Sequence, residues 1–385
     1  CNSSAQMRLI ISNAHIISPD VNISAGSVEV EAGKITAVYE AGATLPEADK
    51  IIDAGGRYVM PGFIDIHAHG ADGKDVCDND VESIRHIAKC KLGEGVTTWL
   101  PTTLTQPQHV LEDIAAKCSQ YMDRQEYCKT PGMHVEGPYI NKMNAGAQNP
   151  QFVREPNWNE LRRIHETAAV AGVSIAPDVA GAYDCIHQAK KAGITCSAAH
   201  SSATHEQMML AKSAGLTHMT HFGNAMSGLH HREIGMVGSG LLDADLKMEL
   251  ICDGIHLCPD FLKLVFSLKP IDQLMLITDS MSGSWIGSGK VQLGGLDVIV
   301  EGGQARLKGS DALAGSVLLF NEGLRNVFEW TGLPLSELVK TTSWNQAQSL
   351  GLEGLGKIEA GYCADITMLN EDFSVWKTLV DGKER

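Results

Sequence analysis

A chain of 385 residues with 44% hydrophobic side chains is long enough for one large catalytic domain plus a smaller one, and can fill a sizeable core. Its 31 basic and 46 acidic residues give a formal charge of -15, which argues against a nucleic-acid surface and leaves any anionic ligand to a locally basic pocket. No apolar run approaches the roughly 20 residues of a membrane helix, and ten cysteines without a C-x-x-C pair read as reduced thiols of a cytoplasmic protein.

Residues 1–6 precede Met7 and read as an appended remnant or a trimmed end, too short and polar for a signal peptide, so they are left out of the fold. From 7 to 58, short β-rich runs at 8–11, 27–30 and 34–38 are punctuated by Asn, Gly and Pro, which predicts a small β unit. From 59 to 350, apolar strands alternate with helical stretches such as 81–92, 110–122 and 159–171, the pattern of parallel βαβ units. Strands ending at 63–67, 97–101, 132–136, 173–176, 194–200, 216–221, 247–252 and 274–279 number eight, enough to close a (β/α)8 TIM-like barrel. Residues 351–385 return to β character at 356–369 and 375–381. A β unit at each end predicts one small β-sandwich domain built from both termini, with the barrel inserted between its halves.

The first barrel strand runs Pro61-Gly62-Phe63-Ile64-Asp65-Ile66-His67-Ala68-His69-Gly70. Strand side chains alternate between faces, so His67 and His69 point the same way and can share one metal ion. In such a barrel the site lies at the carboxyl ends of the strands. There the later strands offer Glu136, His200, His221 and Asp279. Imidazole and carboxylate suit zinc, iron or manganese while leaving room for water, so these six residues are the predicted metal ligands. A bound divalent ion makes hydroxide available near neutral pH, and Asp279 is the candidate general base that takes the proton and returns it to a leaving group. His134 shares a strand face with Glu136 but lies deeper, and reads as a hydrogen-bonded core residue. His86, His109, His165, His187 and His205 fall on helices and read as solvated, while Cys196, Cys252 and Cys258 read as packing residues.

With these residues in place the chain resembles the amidohydrolase superfamily and, within it, the N-acetylglucosamine-6-phosphate deacetylase family. The carriers are the His67-x-His69 strand, His134-Val135-Glu136-Gly137-Pro138, the loop Ala145-Gly146-Ala147-Gln148-Asn149-Pro150, Ala199-His200-Ser201, Thr220-His221, Asn224-Ala225-Met226, Asp253-Gly254-Ile255-His256, Ile277-Thr278-Asp279 and Leu313-Ala314-Gly315-Ser316. Glu136 discriminates most, since many relatives bridge with a modified lysine instead. The resemblance implies one or two divalent ions per subunit, zinc first, with Glu136, His200 and His221 at the principal site and His67 with His69 at a second. It implies an amino-sugar phosphate substrate met by Ala147, Gln148, Asn224, Ala225, Asp253, Leu313, Ala314 and Gly315. Arg232 and His256 would hold the phosphate, one of them across a homodimer interface.

The implied reaction is hydrolysis of the acetamide of N-acetylglucosamine-6-phosphate to glucosamine-6-phosphate and acetate. The galacto epimer, or a cyclic amide or dipeptide in another amidohydrolase, are the alternative substrates. Three departures from the family pattern bear on the sugar: Gly223 after Phe222 in place of the usual Phe, Gln148 where some members carry His, and an unusual stretch at 280–290.

Overall fold

The computed structural model describes residues 7–385; the segment 1–6, read above as an added or trimmed end, lies outside the described residues. Eight parallel strands stand side by side in sequence order: β1 (Phe63–Ala68), β2 (Val96–Thr103), β3 (Met133–Glu136), β4 (Val170–Ile175), β5 (Thr195–Ala198), β6 (His218–Met219), β7 (Lys247–Ile251) and β8 (Leu274–Ile277). At the mouth the last strand meets the first, where Asp279 N donates to His67 O at 2.8 Å. Every residue of β1 and β2 is buried, as expected of strands covered on both faces.

Inside the barrel Ile64, Ile66, Leu100, Ile251, Met275 and Ile277 pack together. Outside it lie α1 (Val81–Leu92), α2 (Gln108–Asp123), α3 (Trp158–Thr167), α4 (Ala182–Lys191), α5 (His205–Ala214), α6 (Gly235–Leu242), α7 (Pro259–Leu268) and α8 (Phe320–Thr331). Their apolar faces, Ile84 and Ile87 or Leu111 and Ile114 among them, build the layer between helices and sheet. The sequence places a helix over 159–171, but α3 ends at Thr167 and Val170 already pairs with Met133. The run Ala168-Ala169-Val170-Ala171 is apolar in any period, so periodicity cannot locate the boundary there. Sheet pairing decides it.

Strict alternation also fails inside β1. Asp65 meets Lys91 of α1, while both Ile66 and His67 face the interior, Ile66 in the apolar cluster and His67 against Glu249. A register shift between Asp65 and Ala68 makes this possible.

Both termini contribute to one eight-stranded sheet: Arg8–Ser18, Val21–Glu31, Lys34–Tyr39, Lys50–Asp53, Tyr58–Pro61, Ile366–Leu369, Val375–Val380 and Lys383–Glu384. The first two strands are longer than the runs read at 8–11 and 27–30, because they pair along most of their length through two irregularities. Tyr58–Pro61 pairs in this sheet, across the boundary read at residue 58. Of 356–369 only the last four residues form a strand. The sheet folds over its own core of Leu9, Val28, Ile35, Ile358, Ile366 and Leu379, with Ile35 N donating to Tyr362 O at 2.8 Å.

Between β8 and α8 the chain inserts a three-stranded antiparallel sheet, Gly289–Leu293, Leu296–Glu301 and Gln304–Leu307, which the sequence reading did not anticipate. Among the described residues no helix is long and apolar enough to cross a membrane, and all nine cysteines are free.

Candidate metal centre and active site

The strand ends deliver six ionisable side chains to one point. Glu136, at the end of β3, lies between two donor sets. Its Oε1 is 3.1 Å from His69 Nε2, and its Oε2 is 3.4 Å from His67 Nε2, 3.4 Å from His200 Nε2 and 3.2 Å from His221 Nε2. Asp279 Oδ1 is 3.1 Å from both His67 Nε2 and His69 Nε2, and the Nε2 atoms of His200 and His221 are 3.2 Å apart.

His200, His221 and Asp279 have φ of 44°, 30° and 51°, in the left-handed region that non-glycine residues seldom occupy. The chain leaves each strand through this sparse conformation and thereby turns the side chain inward. Such strain collects at functional sites.

The far nitrogens fix the rings. His67 Nδ1 donates to Glu249 Oε1 at 2.8 Å, His69 Nδ1 to Thr102 O at 3.2 Å and His200 Nδ1 to Asn144 O at 2.8 Å. Each Nε2 is thus left as the inward-facing atom, an arrangement that orients imidazole ligands. Gln148 fixes the carboxylate: its Nε2 donates to Glu136 Oε1 at 2.9 Å while its Oε1 accepts from Thr105 N at 2.7 Å. His134 makes a 2.6 Å hydrogen bond with Ser174 Oγ, buried in the core as its depth in the strand suggests.

Electrostatics at the centre are those of a cation site. Burial opposes charge on His67, yet Asp279, Glu136 and Glu249 hold it protonated well above its usual range. His69, equally buried, is raised to about 9 by its bonds to Asp279 and Glu136. Both carboxylates stay ionised against the penalty of burial, Asp279 and Glu136 each held well below the usual range by the imidazoles. Protons on imidazole thus balance the carboxylates where a divalent ion can do so instead.

The donor set fits such an ion. His67 Nε2 is buried with no hydrogen-bond partner of sound geometry. Tetrahedral ligands about 2.0–2.1 Å from zinc stand about 3.3 Å apart, close to the separations of 3.1 to 3.4 Å found here. Two sets arise, His67, His69, Glu136 and Asp279, and Glu136, His200 and His221, with Glu136 common to both.

Above the centre opens a cavity of about 470 Å³. The sequence profile of the amidohydrolase family matches residues 58–385. The chain belongs to this family. It is 31% identical to the N-acetylglucosamine-6-phosphate deacetylase of Lysinibacillus sphaericus over 98% of both chains, and 34% identical to the N-acetylgalactosamine-6-phosphate deacetylase of Escherichia coli O157:H7 over 84% of this chain and 87% of the relative. Among solved structures, a mutant N-acetyl-D-glucosamine-6-phosphate deacetylase from Mycobacterium smegmatis in complex with N-acetyl-D-glucosamine-6-phosphate superposes with a TM-score of 0.92, at 28% identity and 99% coverage of both chains.

In this amidohydrolase the cavity is bordered by His69, Glu136, His200, His221 and Asp279 below, and by Ala147, Gln148, Asn224, Ala225, His256, Leu313 and Gly315 around the wall. Asn224 Nδ2 is buried without a partner, a donor left for a ligand. Gly223 has φ of 92°, so glycine serves the turn that presents Asn224.

Three residues expected to touch substrate stand elsewhere. Asp253 does not line the cavity; it accepts from Ile255 N and His256 N at 2.8 Å each and pairs with His256 Nδ1 at 2.7 Å, and so holds His256 in place. Ala314 is buried in the core under the inserted sheet, while its neighbours Leu313 and Gly315 reach the cavity. Arg232 is exposed on a loop outside the cavity, its Nη1 against His231 Nε2.

Conversely, Glu249 and Thr102 behind the rings, and Arg306 in the cavity wall, escaped the sequence reading. A carboxylate in the middle of the apolar strand Lys247–Ile251 was the available signal for Glu249.

Proposed function

We propose that this protein deacetylates an N-acetyl amino-sugar 6-phosphate, N-acetylglucosamine-6-phosphate first, giving acetate and the free amino-sugar phosphate. The observation that carries the reading is the Glu136 centre opening directly into a cavity walled by Asn224, His256 and Arg306. The lower face holds the groups for hydrolysis; the wall holds cationic and amide donors suited to a phosphorylated sugar.

The proposed roles rest on the two donor groups and on the family resemblance. Glu136, His200 and His221 would hold the principal ion, and His67 and His69 would complete a second set with Glu136 and Asp279. Zinc is the proposed metal, because two imidazoles with carboxylate in each set favour it over magnesium or calcium. A divalent ion supplies Lewis acidity that polarises a carbonyl and acidifies water. The Asp279 carboxylate takes one proton from the attacking water as the C–O bond forms, then delivers it to the amine nitrogen as the C–N bond breaks. Gln148 keeps Glu136 in register, and Asn224 Nδ2 donates to the ligand. Arg232, exposed and outside the cavity of its own chain, is proposed as a phosphate contact given to a second copy, so a homodimer is part of the proposal. Among the described residues the nine cysteines are free, which agrees with a reducing compartment such as the cytoplasm.

The galacto epimer is kept as a second substrate because a relative of similar identity is an N-acetylgalactosamine-6-phosphate deacetylase. Zinc-loaded protein should release acetate from N-acetylglucosamine-6-phosphate, and Arg306→Ala should raise KM for it far more than it lowers kcat. Absence of acetate release from both the gluco and galacto 6-phosphates would remove the proposal.

A further inference from the structure

Away from the barrel mouth, Asp72, His86 and Cys90 form another group of metal-ligating side chains. Asp72 Oδ2 lies 2.9 Å from His86 Nε2, Cys90 Sγ lies 3.7 Å from the same nitrogen, and all three donor atoms are within 4.8 Å of one another. Ligands at zinc bond lengths of about 2.0–2.3 Å stand about 3.3–3.6 Å apart around a tetrahedral ion. The cluster is therefore close to closing on one without refolding.

Two elements hold it. His86 and Cys90 are four residues apart on α1 and share one face of the helix. Asp72 comes from the loop after His69 and is fixed opposite them: its φ is 48°, its N donates to Ser284 O at 2.7 Å, and Gly73 N donates to Ser282 O at 2.8 Å. The side chains of His86 and Asp72 are 39% and 47% exposed, so an ion reaches them from solvent.

We propose that Asp72, His86 and Cys90 bind one thiophilic divalent cation of the zinc class, distinct from any ion at Glu136, with a fourth position open to water. Thiolate with imidazole selects zinc, cadmium or cobalt over magnesium and calcium. The charges close: thiolate and carboxylate together neutralise the ion. Burial, then Asp72 and Glu94, push the Cys90 thiol up to about 11, so the thiol is protonated at neutral pH and must lose its proton on binding. An S–metal bond replaces the S–H bond and one proton goes to the buffer. Binding through Nε2 requires the His86 ring proton to sit on Nδ1.

The proposal does not rest on the deacetylase reading, and its test is spectroscopic. Full-length protein titrated with Co2+ should show a thiolate-to-cobalt charge-transfer band in the near ultraviolet, because no cysteine belongs to either set around Glu136. Cys90→Ser should abolish the band and hold one fewer Zn2+ per chain. Asp72→Asn, at an exposed loop position that tolerates the change if the serine variant misfolds, should weaken this ion at least tenfold. Both variants should keep wild-type acetate release. A band that survives in Cys90→Ser, or equal Zn2+ stoichiometry and affinity in wild type and both variants, would overturn the site.

Discussion

His67 Nδ1 donates to Glu249 Oε1 across 2.8 Å inside the barrel, with both residues buried. Glu249 also accepts from His221 N at 3.2 Å, so one carboxylate steadies a residue of each donor set. Partners of this kind typically contribute 10–100-fold to metal affinity. Glu249→Gln should therefore weaken zinc binding by about that factor, with turnover recovering in excess zinc. Unchanged affinity in a competitive chelator titration would show that the contact is only structural.

Asp279→Asn keeps an oxygen near His67 and His69 but cannot accept a proton from water. Turnover should fall by about 10²–10⁴, the range for loss of a general acid–base group, with KM and metal content close to wild type. More than a tenth of the activity remaining would take this residue out of the proton-transfer role.

Replacing His67 and His69 together by Ala strips two of the four donors from one set and none from Glu136, His200 and His221. Metal analysis at saturating zinc should show one ion fewer than wild type, with the remaining centre still filled. Simultaneous loss of both centres would contradict the division of ligands proposed here.

Lys91, Asp65 and Glu94 are all at 0% exposure, with Lys91 Nζ 2.8 Å from Asp65 Oδ2 and 3.0 Å from Glu94 Oε1. Thr278 Oγ1 also donates to Asp65 at 2.6 Å, which ties β1 to β8 beneath the site. Lys91→Met leaves two carboxylates buried without their cation and should cost about 3–5 kcal/mol. Denaturant unfolding measures it; a change below about 1 kcal/mol would mean that water reaches the pair.

Burial, then Lys247, pushes the His218 imidazole down to about 3 from 6.5. The folded protein therefore holds it neutral where the unfolded chain binds a proton. Since the unfolded state binds more protons, stability falls as pH drops from 6.5 toward 3, by about 1.4 kcal/mol per unit for this group in the middle of the window. His218→Gln should flatten the stability profile between pH 6 and 4 by about one proton, and parallel profiles would exclude His218 as a source of acid sensitivity.

The barrel was legible in the chain because strands covered on both faces are short apolar runs, and polar residues at their ends then stand out. His67, His69, Glu136, His200, His221 and Asp279 could be singled out for that reason, and the structure gathers all six. Local pattern fails where the deciding contact is remote. Glu249 gains its meaning from His67, 182 residues earlier, and Lys91 from Asp65 across the helix layer. Arg306 sits on an insertion whose alternating strands carry no sign of facing the cavity. Arg232 was expected at the phosphate from the family resemblance, and its place on an exposed loop depends on packing that the local motif does not encode. Even the His67-x-His69 pair needed the register shift in β1 to turn His67 inward. By itself the sequence determined the period of burial and the chemistry at the strand ends, because both are properties of neighbouring residues. Tertiary structure alone decided which side chains face one another, because closing the barrel brings together atoms that the chain keeps far apart.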